Sequence, residues 1–226
     1  GAVALAANGD VYVGGWTTGS FPDFLLSGTR DAFLSRLDGE SGAVQAVVQF
    51  GSLSIDRVEA IVVLPGGDVV VGGSTGFDMP GGPGRVGDVD AFLRRFTPDF
   101  VATHTAQFGV PARTVSVVAM ALAPDGDLRV GGEANGALTA TPHAGSRDLF
   151  VARVDPATLD RRWTVQAGSE GTDVAHGLAV DADGRALLVG ASSGEFVEAF
   201  VGSERAIVLR VSADGLDVAR EQFGEG

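Results

Sequence analysis

Short apolar runs recur along the chain at close intervals, and none has the spacing of a helix. Between positions 60 and 108 the runs Ala60–Leu64, Asp68–Gly73, Asp90–Phe96 and Ala102–Phe108 are rich in Val, Ala, Leu and Phe and are bounded by Gly, Pro and Asp. A 3.6-residue period is absent, and the Gly-Gly pairs that close most second runs would break a helix. Four short strands are predicted here. They are apolar nearly throughout rather than alternating, as expected of strands covered on both faces. Between the first and second runs stand Asn8-Gly9, Gly66-Gly67, Asp125-Gly126 and Asp183-Gly184. Such pairs suit the positive φ angles of a tight two-residue hairpin.

The same order of features appears four times. The turn glycines Gly9, Gly67, Gly126 and Gly184 are 58, 59 and 58 residues apart. A second anchor is Asp31-Ala32-Phe33-Leu34, repeated as Asp90-Ala91-Phe92-Leu93 and Asp148-Leu149-Phe150-Val151, and decayed to Arg205-Ala206-Ile207-Val208. A third is Gln49-Phe50-Gly51, Gln107-Phe108-Gly109, Gln166-Ala167-Gly168 and Gln222-Phe223-Gly224. Four-stranded repeats of this length predict an all-β β-propeller array, with antiparallel blades of about 58 residues over 1–51, 52–109, 110–168 and 169–226. A β-helix needs a shorter period, and a two-sheet sandwich would not repeat three anchors four times. Phe33, Phe92, Phe150 and Ile207 are expected in the core between blades.

Composition narrows the function classes. Hydrophobic residues make up 45% of 226, so burial can offset the ordering entropy. Glycine is high at 34 residues without a collagen period, which fits many tight turns. The formal charge of −13 argues against nucleic acid and anionic membrane as partners. All 16 basic residues are Arg, which removes Schiff-base and P-loop lysine chemistry. No cysteine is present, so disulfides, thiolate catalysis and Cys-based zinc sites are excluded. No apolar run approaches the roughly 18 residues of a membrane helix. The chain opens on Gly1 with no signal peptide, and an earlier leader or longer precursor is expected.

The anchors resemble the SBBP-type bacterial β-propeller repeat. Asp173–Asp181 is similar to that family's lead-in, Asn8–Gly15 to its "VYVTG" second strand, and Asp31–Asp38 to its "DAFVAKLD" third strand. The resemblance covers essentially the whole chain. It departs at Thr114, where the third lead-in Asp is missing, at Arg205, and at Arg36, Arg95, Arg153 and Arg210, which replace the family's usual Lys. It implies a propeller fold, a secreted or cell-envelope location, and no catalytic residues to carry over.

Several short motifs have plainer readings. Gly72–Gly76 and Gly190–Gly194 fit G-x-S-x-G, but a nucleophile elbow needs a following helix, and none is predicted. Gly82–Gly87 fits G-x-G-x-x-G but surrounds Pro83 and reads as a loop. His104, His143 and His176 fall at non-equivalent places without metal-ligand spacing. His143 stands out because it follows Pro142 in a long loop. Asp181–Gly184 and Pro124–Asp127 hint at calcium, yet the bidentate Glu of such a loop is missing and Asp before Gly is ordinary turn chemistry. No metal or other cofactor is therefore expected, with calcium the one alternative. Asp31, Asp90 and Asp148 read as caps on loop amides rather than as a carboxylate ring.

The long, divergent segments are the loops between second and third strands: Thr17–Arg30, Ser74–Val89, Glu133–Arg147 and Ser192–Glu204. Variable loops on a rigid frame are where binding usually resides. They carry the candidate binding residues Phe21, Phe24, Phe77, Met79, His143, Phe196 and Phe200, with the alternative that the apolar ones fold back over their own blades. The leading expectation is a non-catalytic binding or scaffold module with a protein partner or larger assembly. A carbohydrate-binding propeller is one alternative. Another is a polysaccharide hydrolase or lyase using carboxylates such as Asp23, Asp78, Asp88 or Glu195. The cut between repeats at Gly1 and Gly226 leaves two arrangements, a closed four-bladed ring or part of a larger ring or array, and the second is expected.

Overall fold

The computed structural model describes residues 1–197 and 204–223. Every helix or strand among them is a strand, and the sixteen form four antiparallel sheets of four consecutive strands each. The first sheet holds β1 (Ala2–Leu5), β2 (Val11–Thr17), β3 (Asp31–Leu37) and β4 (Val44–Phe50). The second holds β5 (Asp56–Val63), β6 (Val69–Thr75), β7 (Asp90–Phe96) and β8 (Ala102–Phe108). The third holds β9 (Val115–Leu122), β10 (Leu128–Ala134), β11 (Asp148–Val154) and β12 (Arg161–Ala167). The fourth holds β13 (Asp173–Val180), β14 (Ala186–Ser192), β15 (Arg205–Val211) and β16 (Val218–Phe223). Two compact units divide the chain, Gly1–Ala112 and Arg113–Gly226, with two sheets in each.

The first hairpins differ in detail from the two-residue turns that the sequence suggests. Ala6 N donates to Asp10 O and Gly9 N to Ala6 O, and the same pair of bonds recurs at Leu64–Asp68, Ala123–Asp127 and Asp181–Arg185. Only the glycine has positive φ, from 79° at Gly184 to 93° at Gly9. This is a three-residue loop, a type I turn closed by a left-handed glycine, and it explains why Asn, Gly or Asp precedes that glycine without needing positive φ itself.

The inner strand of the second sheet also starts earlier than the run Ala60–Leu64 suggests, at Asp56. A bulge at Glu59 separates its two halves, and equivalent bulges leave Val118 and His176 unpaired in β9 and β13. A bulge bends the strand and drives its backbone toward the neighbour. There a Cβ on Gly73, Gly132 or Gly190 would collide with the carbonyl of Arg57, Ser116 or Val174. These glycines, each two residues before the end of β6, β10 or β14, thus make room for the bulge.

Within the first unit, the two sheets share a core that includes Tyr12, Leu34, Val58, Ile61, Val71, Phe92 and Phe96. Phe50 packs on Phe96 and edge-on to Phe92, with centroids 5.2 Å and 6.2 Å apart. Within the second unit, Leu149, Val151, Leu188, Ile207 and Leu209 lie in the corresponding core. Phe92, Phe150 and Ile207 are buried as expected, whereas Phe33 is only partly so. The second unit also buries a charge. Arg129, fully inaccessible, pairs with Asp125 at 2.8 Å and lies over the Trp163 ring.

Candidate functional site

The first residue of the third strand and the glutamine before its fourth-strand glycine act together. Gln49 Nε2 donates to Asp31 Oδ2 at 2.9 Å, Gln107 Nε2 to Asp90 Oδ2 at 3.0 Å, and Gln166 Nε2 to Asp148 Oδ2 at 2.8 Å. The other end of each glutamine reaches the long loop. Gln49 Oε1 accepts from Phe21 N, Gln107 Oε1 from Met79 N and Gln166 Oε1 from Leu138 N, all at 2.7–2.8 Å. The aspartates grip the far end of the same loops. Asp31 accepts from Ser27 N and Gly28 N, Asp90 from Val86 N and Gly87 N, and Asp148 from Ala144 N. Both ends of a long loop are therefore tied to one buried side-chain pair. Charge-assisted bonds of this kind are worth about 1.5–3 kcal/mol each.

This pairing explains two anchors at once. A Cβ on Gly109 or Gly168 would overlap the carboxylate of Asp90 or Asp148. At Gly51 it would lie 2.8 Å from Asp31 Oδ1 and 2.7 Å from Asp56 Oδ2. Glycine follows Gln-Phe because the carboxylate occupies the space of a side chain.

The lead-in aspartates tie the connector between sheets. Asp56 accepts from Ser52 N at 2.6 Å and from Ser52 Oγ, and Asp173 accepts the matching bonds from Ser169. Burial raises the pKa of Asp56, its bonds to Thr75 and Ser52 oppose the rise, and nearby Asp31 adds to it. In the third sheet Gly145 takes φ 59°, and Asp148 Oδ1 is buried with no partner among the described residues, while His143 Nδ1 lies 3.2 Å from Asp148 Oδ2. In the fourth sheet Arg205 replaces the aspartate. Gln222 Oε1 still accepts from Phe196 N and Val197 N at 3.1 and 3.0 Å, but its buried Nε2 has no partner among the described residues.

The candidate binding residues divide by exposure. Met79 is 1% exposed and Phe196 3%. Neither can present a contact surface, because the Gln107 and Gln222 bonds fold their loops inward, and this corrects the expectation for both. Phe21 lies edge-on to Phe33 with centroids 5.4 Å apart, and Phe24 is half-buried. His143 is turned toward Asp148. Phe77 is 38% exposed beneath the Arg85 guanidinium. Phe200 lies outside the described residues.

Other exposed groups gather at the loop end of the first unit that the sequence did not single out. Trp16, 43% exposed, carries the Arg30 guanidinium 4.2 Å above its ring. Arg30 bridges to exposed Ile55, whose carbonyl accepts from Gly76 N beside Phe77. Leu25 and Leu53, on the loop and connector at this end, are largely exposed. Trp16 sits where the second repeat has Ser74, and that departure from the repeat was the available signal.

The chemistry of the carboxylates is largely spent on structure. Asp181 accepts from Asp183 N and Arg185 N and pairs with Arg185. Asp125 pairs with Arg129 and Arg153. No cluster of three His, Asp or Glu suited to a metal occurs among the described residues. Asp23, Asp78, Asp88 and Glu195 are exposed, and Asp78 Oδ1 accepts from Arg85 N. Ser74 and Ser192 end strands that run into loops, not helices.

No protein-family model matches the sequence, and no match is found among curated proteins. Solved structures do match in shape. A quinohemoprotein alcohol dehydrogenase, ADHIIG from Pseudomonas putida HK5, superposes with TM-score 0.52 at 14% identity, over 98% of this chain and 34% of that one. The Dos1 propeller gives 0.50 at 10%, over 99% and 47%. The polysaccharide lyase Uly1 gives 0.51 at 10%, over 97% and 59%. The chain thus spans between about a third and three fifths of the structures it matches. At such identities the likeness concerns fold alone. With four consecutive four-stranded antiparallel sheets, the fold is that of a β-propeller.

Proposed function

We propose that this chain is a non-catalytic binding or scaffold module of a secreted or cell-envelope bacterial protein or complex, belonging with the SBBP-type repeats. Its loop end takes a protein partner. One observation carries this reading: the connected row of Trp16 under Arg30, Ile55, and Phe77 under Arg85 at the end where the loops are clamped. Aromatic and arginine side chains on a rigid frame are the residue types that dominate binding energy in protein interfaces. The carboxylates with shifted pKa are scattered over the chain. Asp38, Asp56, Asp125, Asp181 and Asp214 belong to separate turns and connectors, each with its own donors.

Turnover assays on a panel of neutral and acidic polysaccharides, run beside D78N and D88N, test the reading. No turnover above the no-protein blank is expected. Turnover that D78N or D88N abolishes would overturn it in favour of a carboxylate-dependent hydrolase or lyase.

A further inference from the structure

In the third sheet an arginine at the loop end finds its acid within the chain. Arg147 stands one residue before β11 and Glu133 one residue before the end of β10. Arg147 Nη1 donates to Glu133 Oε2 at 2.7 Å. The first sheet repeats the backbone of this place. Arg30 stands one residue before β3 and Trp16 one residue before the end of β2. Arg30 and Arg147 form matching parallel bridges to the connectors, at Ile55 and Thr172. Their carbonyls accept from Asp56 N and Asp173 N at 3.0 and 2.9 Å. The other two sheets have Ser74 with Val89 and Ala191 with Glu204 at these positions, and so no arginine.

Trp16 therefore stands where the glutamate would be. Its ring holds the Arg30 guanidinium at 4.2 Å, but a ring face leaves the in-plane N–H donors unused. Among the described residues the Arg30 side chain has no hydrogen bond and no ion pair, and none of its nitrogens is buried. The donors that meet Glu133 in the third sheet are open to solvent in the first.

Phe77 and Arg85 repeat the arrangement in the second sheet's loop. The exposed guanidinium lies 5.4 Å from the ring, and its one bond, to Gly76 O, is 3.5 Å long. Ile55, 39% exposed, is joined through its backbone to Arg30 on one side and to Gly76 on the other. Asp23, Asp78 and Asp88 lie on the same loops, yet among the described residues none pairs with either guanidinium, and Asp78 turns to the Arg85 amide. In a chain of formal charge −13, two stacked and unpaired arginines flanking an apolar residue are a local reversal of sign.

We propose that the partner is an acidic protein segment that sets one carboxylate on Arg30 and another on Arg85, with an apolar side chain between them over Ile55. Arg30 takes from the partner the acid that Arg147 takes from Glu133. A guanidinium held flat on a ring meets a carboxylate in two parallel bonds with little further ordering. A uronic-acid chain fits less well, because its sugar rings seek aromatic faces and a guanidinium already covers one face of each ring. The proposal rests on the reading of the loop end as a protein-binding surface.

Panning a random peptide library on the whole chain, and keeping the clones that W16A no longer binds, tests it. Those clones should be richer in Asp and Glu than the unselected library. In calorimetry one of them should bind at least about tenfold more tightly than its Asn/Gln counterpart, and R30Q should remove that advantage. Neutral or basic clones, or an acidic peptide whose affinity R30Q leaves unchanged, would overturn the proposal and leave the protein-binding surface standing. If no clone depends on Trp16, both readings fall. Trigalacturonate binding that W16A and R30Q abolish, with no peptide selected, would overturn both in favour of an acidic polysaccharide.

Discussion

Replacing Gln107 by leucine removes one clamp while nearly conserving volume. Three bonds go: Met79 N loses its acceptor, Phe77 O loses a donor, and Asp90 Oδ2 keeps only Val86 N. Met79 is 1% exposed, so no water replaces the glutamine on its amide. A stranded buried donor costs about 1–3 kcal/mol and a lost bond to a charged group about 1.5–3 kcal/mol. After the gain from burying leucine, Q107L should cost about 3 kcal/mol, lowering the melting temperature by about 10 °C. The fourth sheet supplies the control. Among the described residues Gln222 Nε2 has no partner to lose, so Q222L forfeits the bonds from Phe196 N and Val197 N and should cost about 1 kcal/mol. Urea denaturation of both variants beside the parent reads the difference. Equal costs, or a Q107L cost below about 1 kcal/mol, would refute the clamp.

G109A should destabilise by about 2 kcal/mol or more in the same assay, because its methyl would overlap the Asp90 carboxylate. M79A should cost about 2–4 kcal/mol, as expected of a fully buried methionine, while F77A on the exposed rim should cost under about 1 kcal/mol. D125N should cost about 3 kcal/mol or more, because the fully buried Arg129 charge loses its anionic partner, and D125N/R129M should cost less than the two single changes summed. Asp56 titrates above its unfolded value of 3.8, so its contribution to stability is fullest below that value and fades as pH rises through the raised one. D56N removes this dependence, and its cost relative to the parent should be larger at pH 3 than at pH 7 in denaturation curves; a cost larger at pH 7 would contradict the assignment.

Much of the fold is legible in the sequence because one pattern is written four times. Gly9, Gly67, Gly126 and Gly184 fixed the turns, and the Asp and Gln-Phe-Gly anchors fixed the outer strands. What the sequence hid was the join between anchors. Asp90 and Gln107 are 17 residues apart, and nothing local says that they touch. Antiparallel pairing of β7 with β8 brings them together, and only then does the glycine after Phe108 acquire a reason. The turn type is hidden for a similar cause: a left-handed glycine serves both two- and three-residue hairpins, and the bond from Ala6 N to Asp10 O distinguishes them. The start of β5 is hidden because Asp56 and Glu59 look like loop residues, although one is a buried anchor and the other a bulge. At the loop end, aromatic identity alone did not separate presented residues from packed ones. Met79 and Phe196 turn inward with their clamped amides, and Trp16 is presented from the end of strand β2 rather than from a loop.

Amide hydrogen exchange in the long loops tests the central claim, that these loops are held rigid by buried Asp–Gln pairs. Ser27, Gly28, Met79, Val86, Gly87 and Leu138 lie outside the strands, yet each donates its amide to a clamp side chain. Protection of these amides comparable to that of the neighbouring strands β3, β7 and β11, and its loss in the second sheet's loop on Q107L, is the predicted result. Exchange at the rate of unstructured chain in the parent protein would contradict it.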